Sequence, residues 1–353
     1  MLAFTRRFYD KSSEGGGGAP APDNSPKPVA KPPKRRPVVG IALGSGAARG
    51  WSHIGVLREL AANGVVPDII AGTSIGAVVG GCYAADRLDA VEGFARSLTK
   101  RRVFGLIDVS FSGGALLSGE KLKAYLAREV GERTFEDLAR PFAAVATECG
   151  TGHEIWLTRG PLNAAIRASY AMPGIFEPVK IGGRWLFDGA LVNPIPVTVC
   201  RALGADLVIA VNLIADNLFR GTVIHDHAFS DRALETIAKQ VIGDATEADA
   251  PVAAAKGSFL RRQFGRREDG APGIANAMMD AINISQDRIS RSRLAGDPPD
   301  VMIKPRLGNF GLFDFHRAEE LIAVGREAAR RALPDISEHM ALTPLGENME
   351  PVV

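Results

Sequence analysis

What this chain has little of limits its function before any motif is read. Of its 353 residues only three are cysteines, Cys82, Cys149 and Cys200, far apart and without CxxC spacing. That excludes a disulfide scaffold or a cysteine-ligated zinc site and fits small core residues in a reducing, cytoplasmic compartment. The six histidines are scattered, and the nearest pair, His225 and His227, has no cysteine or carboxylate cluster beside it. No metal and no cofactor is therefore expected. Charge of one sign is lacking too: 42 Lys and Arg against 40 Asp and Glu leave a net charge of +2. That is too little for the basic field of a nucleic-acid binder, so no nucleic-acid partner is expected. No apolar run of signal-peptide length follows Arg6-Arg7. Residues 65–85 form a 21-residue stretch with Asp68 as its one charge. Pro67 and the glycines at 72, 76, 80 and 81 suit a strand, a turn and a helix better than one bilayer-spanning helix.

At 46% hydrophobic, the chain can bury a sizeable core, read as one large domain with tails. Residues 1–37 hold a glycine run at Gly15 to Gly18, seven prolines, and eight Lys or Arg against three acids. Such a segment cannot bury enough apolar surface to offset chain entropy and reads as a disordered basic tail. Its Lys31, Lys34, Arg35 and Arg36 could touch anionic lipid, a solvated linker being the plainer reading. A three-layer α/β domain is expected over 38–335, with a mainly parallel central sheet and helices on both faces. Residues 336–353 read as a tail.

Within that domain the organising stretch is Gly72-Thr73-Ser74-Ile75-Gly76. Val65 to Ala71 before it is short, apolar and β-branched, a buried strand; Ala77 to Ala85 after it reads as a buried helix. Strand, tight turn with a central serine, helix is the context of a nucleophile elbow. Gly72 and Gly76 are needed because a Cβ on either side of the turn would clash as strand and helix fold back. Ser74 then stands at a helix N-terminus, where free N–H groups stabilise developing negative charge. Upstream, Val38 to Leu43 is a strand, followed by Gly44-Ser45-Gly46-Ala47-Ala48-Arg49-Gly50 and an amphipathic helix to about Asn63. A glycine-rich turn there presents an anion nest, usable for dinucleotide phosphate or as an oxyanion hole. The dinucleotide reading wants Asp or Glu at the end of the next strand for the ribose. That strand ends in Ala71-Gly72 and delivers a serine, which favours the oxyanion hole.

Farther along, Leu88 to Glu136 reads as helices broken at Gly113-Gly114. Pro141–Glu148 and His153–Thr158 read as strands, and Leu162–Ser169 as a helix ahead of the breaker Met172-Pro173-Gly174-Ile175-Phe176. Val179 to Ile181 and Arg184 to Phe187 flank Gly182-Gly183, a strong hairpin signal. The hairpin ends in Asp188-Gly189-Ala190. Alone this is a turn aspartate, but it is also the best-placed acid to serve Ser74 as a base. A helix from Asn193 to about Leu203, a strand over Asp206–Asn212, a helix over Asn276–Arg293, a strand over Val301–Ile303 and a helix over Phe315–Leu333 complete the pattern. Residues 216–272 fit no element of it. Lys256 to Arg267 interleave basic and large apolar residues, an expected lid or membrane-contacting segment, with a disordered basic loop as the plainer reading.

The loop Gly44 to Gly50, the elbow Gly72 to Gly76, Ala168-Ser169 with Met172 to Phe176, and Asp188-Gly189-Ala190 occur together and in order. Together they resemble the patatin-like phospholipase family, over about Val38 to Asn212 and more loosely from Asp300 to Leu333. The resemblance implies a patatin-like fold and a Ser-Asp dyad, with Ser74 the nucleophile and Asp188 its base. The loop maps to the oxyanion hole, with Arg49 in the basic position before Gly50, and Ile75 after the nucleophile adds its N–H. Ser45 and Ala47 stand where the family favours glycine. The implied chemistry is hydrolysis of fatty-acyl esters of phospholipids or lysophospholipids through an acyl-enzyme, slow and suited to esters. Two other readings stay open. One is a Ser-His-Asp esterase using His225, His227 or His316; the other is a regulatory binding protein with a vestigial hydrolase site.

Overall fold

The computed structural model describes residues 36–101, 120–214 and 274–342. Expectations for the N-terminal tail before Arg36, the Gly113-Gly114 break, His225, His227, the segment 216–272 and the residues after Leu342 lie outside the described residues.

The strands are β1 (Val39–Leu43), β2 (Ile69–Thr73), β3 (Phe142–Glu148), β4 (Glu154–Leu157), β5 (Val179–Ile181), β6 (Arg184–Asp188), β7 (Leu207–Val211) and β8 (Val301–Ile303). The helices, numbered in chain order, are α1 (Ser52–Ala62), α2 (Ile75–Ala84), α3 (Leu88–Ser97), α4 (Glu120–Glu129), α5 (Leu162–Ser169), α6 (Val197–Ala202), α7 (Ile274–Gly296) and α8 (Ala318–Leu342). β1 pairs in parallel with β2 and β7, β2 with β3, and β7 with β8, while β4, β5 and β6 add an antiparallel flank. The result is a mixed α/β architecture with a mostly parallel central sheet between helices.

Alternation along the strands sets the two faces. β1 sends Val39, Ile41 and Leu43 into one cluster, with α1, α2 and α8, and Ala42 into the other, with α6. β7 divides likewise, Leu207, Ile209 and Val211 against Val208 and Ala210. Both faces are dry, which is why these strands read as continuous apolar runs. At the N-terminal ends of the strands, aspartates stitch neighbours together. Asp68 accepts from the N–H of Val39 at 2.9 Å, Asp206 from Val38 at 2.7 Å and Asp300 from Val208 at 2.6 Å. α1 and α8 touch backbone to backbone, since a Cβ at Gly55 would lie 1.9 Å from the Ile322 carbonyl oxygen and one at Gly325 2.0 Å from that of Ser52.

The registers on β3 contain the arrangement that builds the site. β4 covers Ala144 to Thr147 on one edge of β3; β2 pairs with Phe142 to Val145 and β6 with Ala146 to Glu148. A strand offers one edge to one partner at each position, so β2 and β6 must share the edge opposite β4. β2 runs parallel to β3 and β6 antiparallel, so the two approach end to end. Thr73 lies opposite Val145 and Asp188 opposite the next residue, Ala146.

Three elements depart from the sequence-based boundaries. β2 begins at Ile69 rather than Val65, because Pro67 lacks the N–H that a ladder there would use. α6 is short, Val197–Ala202, with Asn193 to Pro196 in a turn. α8 runs through Pro334 to Leu342, seven residues past the expected end of the domain at 335, because its apolar face continues to the fully buried Ile336.

Candidate active site

Ser74 sits between β2 and α2 with φ 59° and ψ −123°, a left-handed conformation that costs a non-glycine residue about 1–3 kcal/mol. The flanking glycines are what let the chain make that turn. A Cβ on Gly76 would stand 2.0 Å from the Leu43 carbonyl oxygen, and one on Gly72 would stand 2.5 Å from that of Gly76. The hydroxyl of Ser74 donates to Asp188 Oδ2 at 2.6 Å, across 114 positions of sequence.

Asp188 is buried, 1% exposed, and its other oxygen accepts from the Ala190 N–H at 2.8 Å. Burial pushes its carboxyl up to about 7, against the opposing pull of the bonds from Ser74 and Ala190. Gly189 permits the turn, since a Cβ there would lie 2.2 Å from the Val145 carbonyl oxygen.

Where two strand ends meet, the sheet ladder cannot satisfy the backbone, and side-chain hydroxyls take its place. Ser169 Oγ accepts from the Ser74 N–H at 3.0 Å and donates to the Val145 carbonyl at 2.6 Å. Thr147 donates to the Asp188 carbonyl at 2.8 Å, and Thr73 to that of Asn193 at 2.9 Å. No role for Thr73, Thr147 or Ser169 follows from spacing alone, because their partners are backbone atoms of distant residues. The visible trace is a buried hydroxyl in an otherwise apolar strand, as in Phe142 to Glu148.

The loop after β1 lies beside the serine. The N–H groups of Gly44, Ser45, Ala48 and Arg49 donate to the carbonyls of Val211, Pro194, Leu312 and Gly46 respectively. Those of Gly46 and Ala47 have no acceptor among the described residues, nor does that of Ile75 in the first turn of α2. Of the amides from Gly44 to Ala48, those of Gly46 and Ala47 thus remain unspent among the described residues, as does that of Ile75. Ser45 Oγ is held by Gln286 of α7 at 3.1 Å. Arg49 Nε donates to the Phe310 carbonyl, and its side chain lines a neighbouring polar cavity of about 310 Å³ with Asp280, Asp287 and Arg288. Gly50 lets the loop close on the elbow, a Cβ there falling 2.2 Å from Cγ1 of Ile75.

Ser74, Asp188, Gly46 and Ala47 open onto a cavity of about 110 Å³ whose walls include Val78, Leu122, Met172, Ile175, Phe176 and Met279. The breaker at Met172 to Phe176 therefore supplies an apolar wall. His53 lies on α1 with its Nε2 on the Gly44 carbonyl at 2.8 Å, and among the described residues no histidine bonds Ser74 or Asp188.

The fold is a three-layer α/β architecture with Ser74 on a tight turn between a strand and a helix. The family profile described as Patatin-like phospholipase matches residues 41–201. An uncharacterized NTE family protein of Mycobacterium tuberculosis is 37% identical over 329 residues, covering 84% of this chain and 91% of the relative. The patatin-like phospholipase domain-containing protein 7 of Rattus norvegicus is 32% identical over 182 residues, covering 50% of this chain and 13% of the relative. Among solved structures, VipD from Legionella pneumophila is similar with a TM-score of 0.43 and 14% identity, over 86% of this chain and 67% of that one. The chain belongs to the patatin-like phospholipase family and is a lipid hydrolase.

Proposed function

We propose that this protein is a serine hydrolase that cleaves fatty-acyl esters of phospholipids or lysophospholipids through a Ser74–Asp188 dyad and an acyl-enzyme. The carrying observation is the 2.6 Å bond from the Ser74 hydroxyl to a buried carboxylate held up to about 7, at the edge of an apolar cavity. A carboxylate at its ordinary value is a poor base for a hydroxyl; raised to about 7 it is matched to neutral pH.

Asp188 Oδ2 takes the Ser74 proton as Oγ attacks the ester carbonyl. The oxyanion settles against the N–H groups of Gly46, Ala47 and Ile75, each such donor typically worth about 10²–10³ in rate. Collapse of the intermediate expels the alcohol, which leaves with the proton from Asp188. Water then gives a proton to Asp188 and its oxygen to the acyl carbon; the fatty acid departs and Oγ regains its hydrogen. The apolar walls receive the acyl chain.

A fluorophosphonate probe tests the nucleophile: wild type labels and Ser74→Ala does not. Labelling that survives Ser74→Ala sinks the assignment. Replacing each histidine with Gln tests the triad alternative, which requires one of them to abolish turnover. An unlabelled but folded wild type favours the vestigial, regulatory reading. A panel of phospholipids, lysophospholipids and simple esters sets the head-group and chain preference.

The free thiols Cys82, Cys149 and Cys200 support a cytoplasmic setting. Among the described residues no helix is long and apolar enough to cross a membrane. The basic and apolar run Lys256 to Arg267 supports peripheral contact with an anionic inner membrane face. Deleting residues 253–270 should weaken sedimentation with anionic liposomes, and unchanged binding rejects that role.

A further inference from the structure

We infer that His53 is a positioning residue that fixes the plane of the Gly44–Ser45 peptide and so aims the loop amides at the Ser74 site. The inference rests on the proposed use of the Gly46 and Ala47 amides as oxyanion donors. His53 stands in the first turns of α1 and is 0% exposed, a costly place for an imidazole unless it is used. Its Nε2 lies 2.8 Å from the Gly44 carbonyl oxygen. A carbonyl can only accept, so Nε2 carries the hydrogen and the ring is the Nε2–H tautomer. Nδ1 is buried and without a partner among the described residues. Protonating it would put an uncompensated N–H⁺ in the core, and burial accordingly holds the imidazole down to about 4. His53 is therefore a neutral, single-direction donor at the working pH of any such hydrolase.

The other end of the same peptide is held as well: the Ser45 N–H donates to the Pro194 carbonyl at 2.9 Å. Clamped at its oxygen by His53 and at its hydrogen by Pro194, this plane cannot flip. The loop leaves it through Gly46, at φ 160° and ψ 15°, and Ala47, in the left-handed region at φ 50°. Gly46 and the left-handed Ala47 carry the two amides that lack acceptors among the described residues, so their direction depends on the plane behind them. The Gly44 oxygen also lies against the elbow, 2.9 Å from where a Cβ on Gly76 would stand, so the clamp sits between loop and nucleophile.

Packing alone would give His53 a different set of responses. His53→Gln keeps an N–H donor within reach of the Gly44 oxygen, whereas His53→Leu keeps the bulk and loses the donor. On a soluble short-chain ester, His53→Leu should lower kcat roughly 10–100-fold with KM changed less than about twofold, and His53→Gln should recover most of that loss. Fluorophosphonate labelling of Ser74 should slow in parallel, because the phosphonyl oxygen uses the same amides. Hydrogen exchange read by mass spectrometry should quicken over residues 44–50 in His53→Leu and not in His53→Gln. That readout needs no turnover, so a wild type inactive on every ester rejects the hydrolase reading while the clamp is still judged by exchange. Wild-type kcat in His53→Leu, or equal losses in Leu and Gln that follow a common fall in Tm with exchange at 44–50 unchanged, overturns the inference.

Discussion

At the scale of single residues, one fact about Asp188 has two opposed consequences. Its burial holds the carboxyl up to about 7, which suits a base at neutral pH and burdens the fold. In the proposed role of base it must be ionised, so kcat/KM on a soluble ester should level off above about 7 and fall below it as Asp188 takes up its proton. Asp188→Asn should lower kcat by about 10²–10⁴. For stability the sign is reversed. The folded value lies above the ordinary carboxylate value of 3.8, so between about 4 and 7 the folded state keeps a proton that the unfolded state has lost. This group's contribution is fully present below about 4 and declines as pH rises through 7. Asp188→Asn, which cannot ionise, should therefore melt above wild type at pH 8, and the gap should close toward pH 4. Parallel Tm curves for the two proteins would show that the carboxyl is not raised. Sequence made Ser74 legible because its elbow is local, two glycines and two apolar runs. The Ile75 amide was legible too, as the residue after the serine, but which loop amides stay unspent, those of Gly46 and Ala47, was not, since that depends on carbonyls at Val211, Pro194 and Leu312.

At the scale of elements, the site is a junction of two strand ends on one edge of β3, held by hydroxyls where ladder bonds run out. Ser169→Ala removes the acceptor for the Ser74 N–H and the donor to the Val145 carbonyl together, both buried. Leaving such groups unpaired costs about 1–3 kcal/mol, so urea unfolding should shift by that amount while the m-value stays constant. Gly76→Ala should be worse, because its Cβ would meet the Leu43 backbone oxygen at 2.0 Å, an atom that cannot swing aside. That variant should fail to accumulate as folded protein. Hairpin and elbow were legible from turn chemistry, but their head-to-head meeting was not, since spacing does not say which edge of β3 each takes. α8 shows the opposite limit: Pro334 is a local stop signal that packing overrides, for Ile336 beyond it is 0% exposed. Ile336→Ala should cost about 2–5 kcal/mol in urea unfolding, and a shift under about 0.5 kcal/mol would mean that Ile336 does not pack into the core.

At the scale of the whole molecule, the sheet separates two apolar layers, and the three thiols happen to sample them differently. Cys82 lies in the layer of α1, α2 and α8, Cys200 in that of α6, both fully buried, while Cys149 past the end of β3 is partly exposed. Burial pushes both buried thiols up to about 12, so the thiolate that reacts with alkylating reagents is nearly absent from the folded state. In native protein Cys149 should alkylate and the other two should not. The layers share the strands of one sheet: β1 places Ile41 in one cluster and Ala42 in the other, and β7 does the same with Ile209 and Ala210. Neither layer can therefore lose its sheet without stripping its opposite. Cooperative unfolding follows, and Cys82 and Cys200 should become reactive together as urea is raised, along one curve shared with the loss of helical circular dichroism. Alkylation mapped by mass spectrometry checks this residue by residue. If Cys200 reacts well below the urea concentration that opens Cys82, the α6 layer detaches on its own. The segment from Asp188 to Pro194 leads into α6, so Asp188 and the Pro194 carbonyl that accepts from Ser45 would then loosen before the layer that holds Ser74 does.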